Sequence, residues 1–357
     1  MKIVEIIPTL GQGGAERFVV DLCNEMVQRH QVTLIVLHSI DKFGLFVKDL
    51  DKRVQIICMN KKMGFDVQLI FRLYRLIKNL KPDMVHTHLR GIVYCPLAFM
   101  SLRYVKFIHT VHSDAKREAV GLMSRLCRRF AFRFKMVLPI TISEESKRSF
   151  REFYHLGSIL IENGRPDYVE SHNNALVKED LSFNEGAVKI VNVARLVQAK
   201  NQPVLVRAVD EINKQGRKVD LFIIGDVSDV EIKTEIESIG SKHTRLLGTK
   251  LNPRDYMAEA DAFCLSSIYE GMPITLIECF SVGTIPICTP VGGIINMIQD
   301  GVNGILAKGT KQEDIEQAIH RFLNMTDAEK DAMRKHSRES FQRYDMKSCS
   351  LRYEQLV

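Results

Sequence analysis

The fold is decided by residues 261–305, which open with Asp261-Ala-Phe-Cys-Leu-Ser-Ser-Ile-Tyr-Glu270-Gly-Met-Pro-Ile-Thr-Leu-Ile-Glu278-Cys-Phe-Ser-Val-Gly283 and run on to Gly304-Ile305. The stretch has the pattern of a buried strand, a tight loop, a helix, a second strand and a glycine turn. Pro273 suits the first helical position because its missing N–H would be unpaired there, and Gly283 suits the position just past the helix end. We therefore expect a helix that begins directly after Glu270.

The tip of this helix is a candidate site for an anion. The N–H groups of Gly271–Thr275, a segment that includes Met272 and Ile274, have no partner inside the helix, and the positive end of the helix dipole favours a phosphate. Glu270 stands in the loop beside that anion. Glu278 lies a turn and a half into the helix, where its carboxylate can accept hydrogen bonds from two neighbouring hydroxyls, such as a ribose diol. Such an arrangement can hold a sugar nucleotide.

Fixed positive charge is available from Arg195, which follows a predicted strand, and from Lys200 five residues later. Each charge-assisted hydrogen bond contributes about 1.5–3 kcal/mol, and the helix terminus adds up to about 2 kcal/mol. Their sum is of the order of the several kcal/mol that a bound metal ion supplies, so we expect no metal and no cofactor. Asp49-Leu-Asp51 matches an Asp-x-Asp metal motif, but it lies in a turn of mixed charge and is not expected to bind an ion. An interdomain salt bridge is the alternative role for Arg195.

Residues 261–283 resemble the donor-sugar motif of the retaining glycosyltransferases of family 4, which have the two-domain GT-B fold. Further landmarks of the family follow in its order along nearly the whole chain: Pro8-Thr-Leu-Gly-Gln-Gly-Gly-Ala-Glu16, Asp83-Met-Val-His-Thr-His88, Thr110-Val-His112, Ile142-Ser-Glu144, Glu162-Asn-Gly164, and Ala194-Arg-Leu196 followed by Lys200. The sequence departs from the family at Ala194 and Asn201, where a glycine is frequent. Neither change removes the charge of the basic pair.

The resemblance implies transfer of a sugar from a nucleotide-sugar donor to a hydroxyl acceptor, with retention and without a metal. It places Arg195 and Lys200 on the donor diphosphate, which departs toward them while the acceptor attacks from the same face. It places Glu278 on the ribose and Glu270 on the donor sugar. It also places His112 near the reacting sugar.

Gly13 and Gly14 lie between the first strand and its helix, where absent side chains let the backbone approach a ligand closely. In the family this loop faces the sugar phosphate and the acceptor, and a plain tight turn is the alternative. A Rossmann dinucleotide motif does not fit, because Glu16 stands where its third glycine is needed. His86, His88 and His109 invite a zinc interpretation, but no carboxylate or cysteine was identified to complete the ligand set.

Short apolar strands alternate with helical patterns along the chain, which favours parallel sheets covered by helices. The pattern restarts near residue 188, so we expect an α/β protein with two doubly wound, Rossmann-like domains facing across a cleft. The domains expected are an acceptor-binding domain at 1–165, a nucleotide-sugar-binding domain at 166–343, and a helix at 344–357 that crosses back to the first domain. Residues 166–186 are expected to form the linker. Asn163-Gly164 is predicted to form a turn with positive backbone angles.

Basic charge belongs to the first half of the chain, where residues 1–165 hold 27 Lys+Arg against 15 Asp+Glu. It peaks at 116–135, where basic residues, including Arg128, alternate with Leu126, Phe130, Phe132 and Phe134. A basic amphipathic helix of this kind fits an anionic membrane surface; a solvated helix whose apolar side faces the core is the alternative. No nucleic-acid motif accompanies the patch.

We therefore expect a cytoplasmic protein, peripheral on the inner face of the membrane, that glycosylates a lipid-linked or glycan acceptor during surface-polysaccharide synthesis. The eight cysteines have no Cys-x-x-Cys spacing and are expected to be free thiols. Two other functions were considered: a sugar-nucleotide epimerase or phosphorylase of the same fold, and a non-enzymatic basic scaffold at membranes.

Overall fold

The structure is a computed structural model of the chain that describes residues 1–11, 13–62, 64–171 and 174–357. Gln12 of the glycine loop, Met63, and His172 and Asn173 of the expected linker lie outside the described residues. The described chain divides into two compact units. Unit 1 comprises Met1–Pro166 together with Tyr344–Val357, and unit 2 comprises Asp167–Arg343.

Each unit is built on one parallel sheet of the described residues. In unit 1 the strands are β1 (Lys2–Ile7), β2 (Gln31–Val36), β3 (Gln55–Cys58), β4 (Met84–His88), β5 (Lys106–Val111), β6 (Leu138–Thr141) and β7 (Ile159–Leu160), in the order β3-β2-β1-β4-β5-β6-β7. In unit 2 they are β8 (Val188–Val193), β9 (Val219–Ile224), β10 (Thr244–Gly248), β11 (Ala262–Leu265), β12 (Ile285–Cys288) and β13 (Ile305–Leu306), in the order β10-β9-β8-β11-β12-β13.

Helices connect these strands. The α-helices of the described residues are α1 (Gly14–Met26), α2 (Ile40–Phe43), α3 (Val67–Leu80), α4 (Pro96–Ser101), α5 (Ala115–Glu118), α6 (Leu122–Arg133), α7 (Glu144–Tyr154), α8 (Asn174–Asp180), α9 (Gln202–Lys214), α10 (Val230–Ile239), α11 (Pro253–Glu259), α12 (Ile274–Val282), α13 (Ile294–Met297), α14 (Gln312–Leu323), α15 (Asp327–Ser340) and α16 (Met346–Glu354). Short 3₁₀ turns cover Leu45–Asp49, Leu89–Tyr94, Gln198–Lys200 and Phe341–Tyr344. In the described residues no helix combines the length and the apolarity that crossing a membrane requires.

The strand order reverses direction beside β1 in one sheet and beside β8 in the other, as in doubly wound folds. Strands covered on both faces are largely apolar; β9, for example, is buried at every position, and Asp220 is its one charged residue. The predicted fold of two doubly wound α/β units is confirmed. The strands β6, β7 and β13 were not predicted, and the last two have only two residues each.

The C-terminal helix α16 packs within unit 1, beside the end of its first long segment. The N–H of Arg165 donates to the carbonyl of Tyr344 (2.8 Å), and the N–H of Met346 donates to the carbonyl of Arg165 (2.9 Å). The expectation of positive backbone angles at Asn163-Gly164 is wrong, since neither residue has them. Gly164 is instead required by packing, because a Cβ there would lie 2.8 Å from the Cβ of Cys349.

Candidate active site

In unit 2, two loops at the carboxyl ends of β8 and β11 are tied together. The Lys200 ammonium donates to Glu270 Oε1 at 2.5 Å, and the Ser267 hydroxyl donates to the same oxygen at 2.6 Å. Two further hydrogen bonds end on main-chain carbonyls of the first loop. The Ser266 hydroxyl donates to the Lys200 carbonyl, and the Ile268 N–H donates to the Ala199 carbonyl. These contacts place a cation and a carboxylate side by side at the edge of the sheet where doubly wound folds bind ligands.

Glu270 is almost fully buried, with 7% of its surface exposed. Both of its side-chain contacts are made by Oε1, and Oε2 accepts no hydrogen bond from any described residue. An ionised carboxylate is a pure acceptor. One oxygen is therefore positioned by the protein, and the other is left for a hydroxyl group of a ligand.

The tip of α12 exposes backbone donors next to this pair. Within the described part of the chain, the N–H groups of Gly271, Ile274 and Thr275 donate no hydrogen bond. Pro273 was predicted to be the first helical residue, but it is the N-cap. Its φ of −70° is set by the ring, whereas its ψ of 119° is extended, and its carbonyl accepts from the Leu276 N–H. Gly283 ends the helix in the left-handed conformation, as predicted.

The remaining residues predicted for this site lie on the same two elements. Arg195 follows β8 by two residues; its side chain is exposed, and its carbonyl accepts from the Gln202 amide at 3.0 Å. Glu278 is buried in the second turn of α12, and Met272 and Ile274 are buried at its start. The structure thus brings Lys200, Glu270 and the helix tip into contact and places Arg195 in the same loop as Lys200. Their roles toward a donor stay predictions.

Sequence reasoning missed two features that support this loop. Ser267 fixes the Glu270 carboxylate, and Gly292 with Gly293 packs directly on the Glu270–Gly271 backbone. Gly292 has φ +53°, and a Cβ there would collide with the Glu270 carbonyl. The Gly293 N–H donates to the Gly271 carbonyl at 2.9 Å. A glycine pair in the loop that follows a predicted strand was the signal that could have indicated the close approach.

In unit 1, the glycine loop and His112 lie at the carboxyl ends of β1 and β5. Gly13 caps α1, and a Cβ at this position would run into the Glu16 carboxylate, which also accepts from the Thr9 hydroxyl (3.2 Å). Gly14 is the first residue of α1. The His112 N–H donates to Glu118 Oε2 at 2.6 Å, and its ring Nε2 lies 2.9 Å from His88 Nδ1.

Two of the histidines of unit 1, His86 and His88, form a buried cluster with a carboxylate that was not predicted from the sequence. Glu5 supplies the carboxylate that was thought to be missing, because β1 pairs with β4 in the register Glu5↔His86. His86 Nδ1 lies 3.0 Å and His88 Nε2 lies 2.8 Å from Glu5 Oε2. One ligand atom from each residue falls within 4.8 Å of the others, a geometry that could hold a metal ion. Burial alone would raise the pKa of Glu5, but the two imidazoles hold it at about 2.

His109 belongs to a different buried group. Its Nδ1 lies 2.9 Å from the Thr87 hydroxyl, and its Nε2 lies 2.8 Å from the Arg128 guanidinium. Arg128 is fully buried and donates to Glu118 Oε1 at 2.8 Å. Burial and the adjacent Arg128 charge lower the pKa of His109 to about 3. The prediction that Arg128 belongs to a basic surface helix is therefore wrong.

The other basic side chains of residues 116–135 are exposed. The segment forms two helices, α5 and α6, separated by Gly121. The face of α6 that contacts the core is made by Ser124, Arg128, Ala131 and Phe132. Apolar and basic side chains alternate along the exposed face: Leu122, Met123, Arg125, Leu126, Arg129, Phe130, Arg133, Phe134 and Lys135. Of the four apolar residues named in the sequence, only Phe132 packs against the core, as the alternative expected; Leu126, Phe130 and Phe134 are exposed.

Both carboxylates of the Asp49-Leu-Asp51 motif pair with arginines. Asp49 pairs with Arg17, and Asp51 accepts from Arg53 at 2.6 Å. The Arg53 hydrogen bonds hold the pKa of Asp51 well below its usual range. Ser143 accepts from the Ser146 N–H at 3.1 Å and so caps α7.

Two doubly wound units, the second with a cationic, amide-rich site at the ends of its own strands, have the architecture of the GT-B glycosyltransferases. Residues 12–167 match the family described as Glycosyltransferase Family 4, and residues 174–340 match the family described as Glycosyl transferases group 1. The chain belongs to the family 4 glycosyltransferases, which confirms the resemblance seen in the sequence.

Two relatives and one solved structure illustrate the similarity. The UDP-Gal:alpha-D-GlcNAc-diphosphoundecaprenol alpha-1,3-galactosyltransferase of Escherichia coli is 26% identical over 293 residues, 77% of this chain and 74% of the relative. The GalNAc-alpha-(1->4)-GalNAc-alpha-(1->3)-diNAcBac-PP-undecaprenol alpha-1,4-N-acetyl-D-galactosaminyltransferase of Campylobacter jejuni is 24% identical over 339 residues, 91% of this chain and 89% of the relative. Anabaena HepE, solved in complex with UDP and glucose, superposes with a TM-score of 0.82 at 18% identity, covering 99% of this chain and 98% of that protein.

Proposed function

We propose that the protein transfers a sugar from a UDP-sugar to a lipid-linked glycan acceptor, with retention of the anomeric configuration and without a metal ion. The observation that carries this proposal is the contact between Lys200 and Glu270 beside the open N–H groups of α12. It combines a site for an anion with an acceptor for a sugar hydroxyl. The UDP base is supported by the name of the E. coli relative and by the UDP bound to HepE.

In this proposal the departing diphosphate is neutralised by Arg195, Lys200 and the helix tip. Two charge-assisted hydrogen bonds and a helix terminus together supply several kcal/mol, which is the range ascribed to a bound metal ion. Glu278 accepts from the ribose hydroxyls and Glu270 Oε2 accepts from the donor sugar. No protein nucleophile is then required, because the acceptor hydroxyl attacks from the face that the diphosphate leaves.

The acceptor side is supported by two observations. Both curated relatives are named for undecaprenol-linked substrates, and the exposed face of α6 places Leu122 (72% exposed) and Phe134 (61% exposed) among arginines. An amphipathic face of this kind inserts its apolar side chains between lipid headgroups while its basic side chains contact anionic lipids. We infer a protein that works at the inner face of the membrane during polysaccharide synthesis.

The chemistry is tested by incubating the protein with UDP-sugars and an undecaprenyl-diphosphate-linked sugar. The expected product carries the new sugar in the anomeric configuration of the donor, which NMR of the product reads directly. Release of free sugar, sugar phosphate or an epimer at equal rates with and without acceptor would instead indicate the phosphorylase or epimerase alternative. A product with inverted configuration would contradict the retaining mechanism.

The membrane surface is tested by flotation with vesicles that contain or lack phosphatidylglycerol. Binding is expected to require the anionic lipid, and replacing Phe130 and Phe134 by serine should abolish it. Each of Arg125 and Arg129 replaced by glutamine should weaken binding by about 1 kcal/mol. Tyr104→Ser removes another exposed ring of unit 1, 63% exposed, and should have no effect. Equal binding of all variants would contradict the assignment.

A further inference from the structure

A chain of buried hydrogen bonds leads from His112 to Glu5. His112 Nε2 lies 2.9 Å from His88 Nδ1, and His88 Nε2 lies 2.8 Å from Glu5 Oε2. His86 approaches the same carboxylate through Nδ1, and its Nε2 lies 2.7 Å from the Thr110 hydroxyl. Glu5, His86 and His88 are fully buried. The carboxylate therefore has two imidazole partners and is shielded from water.

The Glu5 carboxylate fixes which group donates in each hydrogen bond of the chain from Glu5 through His88 to His112. An ionised carboxylate can only accept, so His88 must donate from Nε2. At a pH above the ordinary histidine pKa the His88 ring carries a single proton, and the contact with Glu5 places it on Nε2. Its Nδ1 is then an acceptor, and the proton between the two histidines must belong to His112 Nε2.

The other ring nitrogen of His112, Nδ1, consequently has a lone pair and no proton. At the same pH the His112 ring also carries a single proton, the one on Nε2. Within the described residues His112 Nδ1 makes no hydrogen bond, and the residue is only half-buried. The backbone of His112 is anchored separately, through its N–H to Glu118 Oε2 at 2.6 Å.

We propose that Glu5 and His88 are positioning residues that hold His112 in the Nε2–H tautomer and so present its Nδ1 lone pair to the substrate. The inference rests on the proposed function and on the family resemblance, which implies that His112 lies near the reacting sugar. A sugar hydroxyl can donate to this lone pair, whereas a phosphate oxygen has no proton to offer. His112 is thereby committed to accepting a hydrogen bond from a sugar hydroxyl and cannot donate one to the departing diphosphate.

A metal ion bound by Glu5, His86 and His88 would reverse this polarity. The metal would take the lone pair of His88 Nε2, leaving the ring proton on Nδ1. His88 would then donate to His112 Nε2, and His112 would carry its proton on Nδ1. The two arrangements thus differ in the protonation of four identified nitrogen atoms.

Nitrogen NMR of the full chain with ¹⁵N-labelled histidine distinguishes these states without any substitution. At about pH 8, above the ordinary histidine pKa, we expect pyrrole-type signals for Nε2 and pyridine-type signals for Nδ1 in both His88 and His112. The signals are assigned from the spectra of His88→Asn and His112→Gln. A protonated Nδ1 on either residue overturns the proposal.

Variants connect the tautomer to turnover. Glu5→Gln keeps the shape but offers a donor as well as an acceptor, so His112 should populate both tautomers and kcat should fall about 10-fold, with little change in the KM for the donor. His88→Asn also offers a donor as well as an acceptor near the Nδ1 position, so it too should leave His112 in both tautomers and lower kcat. His88→Leu offers neither group and should lower kcat at least as much.

The matched control is His30→Gln, because His30 also pairs with a carboxylate, Glu354, at 3.1 Å. It should change neither the His112 signals nor kcat. Turnover that is unaffected by Glu5→Gln while the predicted tautomers are present in the wild-type protein would overturn the proposal. If the wild-type protein transfers no sugar to any acceptor, the proposed function fails, while the spectra still decide the tautomer.

Discussion

Replacing Lys200 by methionine perturbs the site most informatively, because it keeps the apolar stem and removes only the charge. The Lys200 ammonium lies 2.5 Å from Glu270 Oε1, with 21% of its side chain exposed. If it also contacts the donor diphosphate, the substitution removes a charge-assisted hydrogen bond worth about 1.5–3 kcal/mol. At about 1.4 kcal/mol for each factor of ten, kcat/KM for the donor should fall about 10- to 150-fold.

The same substitution also leaves Glu270 with Ser267 as its remaining partner, which should lower the free energy of unfolding by about 1–3 kcal/mol. A double-variant cycle separates the two effects. In the Glu270→Gln background the stability loss should shrink, because no buried charge remains, while the loss in kcat/KM caused by Lys200→Met should persist. Lys214→Met is the matched control, since Lys214 is 72% exposed and its pair with Glu211 spans 3.1 Å.

Steady-state kinetics with a UDP-sugar and thermal unfolding of the four proteins in the cycle provide the data. If Lys200→Met has no effect on kcat/KM once Glu270 is glutamine, Lys200 acts only by holding Glu270. The assignment of Lys200 to the diphosphate would then be refuted.

Three further outcomes are expected. Gly292→Ala should lower the free energy of unfolding by about 2–4 kcal/mol and weaken UDP binding. Gly216→Ala, also at positive φ but in open space, should lower it by about 1 kcal/mol. Equal losses in calorimetry would count against the packing of Gly292 on Glu270. Because burial holds the pKa of His109 at about 3 against 6.5 for the ordinary residue, the unfolded chain binds a proton that the folded chain does not, so stability present above pH 6.5 is lost as the pH falls toward 3. By pH 5 the His109 contribution to the free energy of unfolding has fallen by about 2 kcal/mol. Denaturant titrations between pH 7 and 5 should show a pH-dependent loss that is smaller by this amount in His109→Gln and unchanged in the exposed-site control His336→Gln. Glu278→Ala should weaken UDP about 10-fold and 2′-deoxy-UDP less, and equal weakening in isothermal titration would remove the ribose contact.

Local signals were sufficient to predict the helix after Glu270. The apolar strand, Pro273 and Gly283 each act on the backbone within a few residues, so the helix could be predicted from the sequence with an error of one residue at Pro273. The contact of Lys200 with Glu270 spans 70 residues and was not predicted, because no local signal indicates it; the two residues meet because both follow strands of one parallel sheet.

The buried side chains of unit 1 could not be placed in the same way. Glu5 is 81 residues from His86, and the two meet because β1 and β4 are neighbours in the sheet. The doubly wound strand order contains that information, but the composition of neither segment does. Arg128 looks like its basic neighbours in the sequence. Only the positions of Glu118 and His109 show that it is the arginine that points into the core.

The central claim is that fixed protein charges replace a metal ion in neutralising the departing diphosphate. The most direct test is the rate of sugar transfer by the wild-type protein at saturating UDP-sugar, measured after divalent ions have been removed with a chelator and again after magnesium is restored. Equal rates are expected, together with loss of transfer in Arg195→Met and Lys200→Met under both conditions. Transfer that stops on chelation and returns with magnesium would contradict the account.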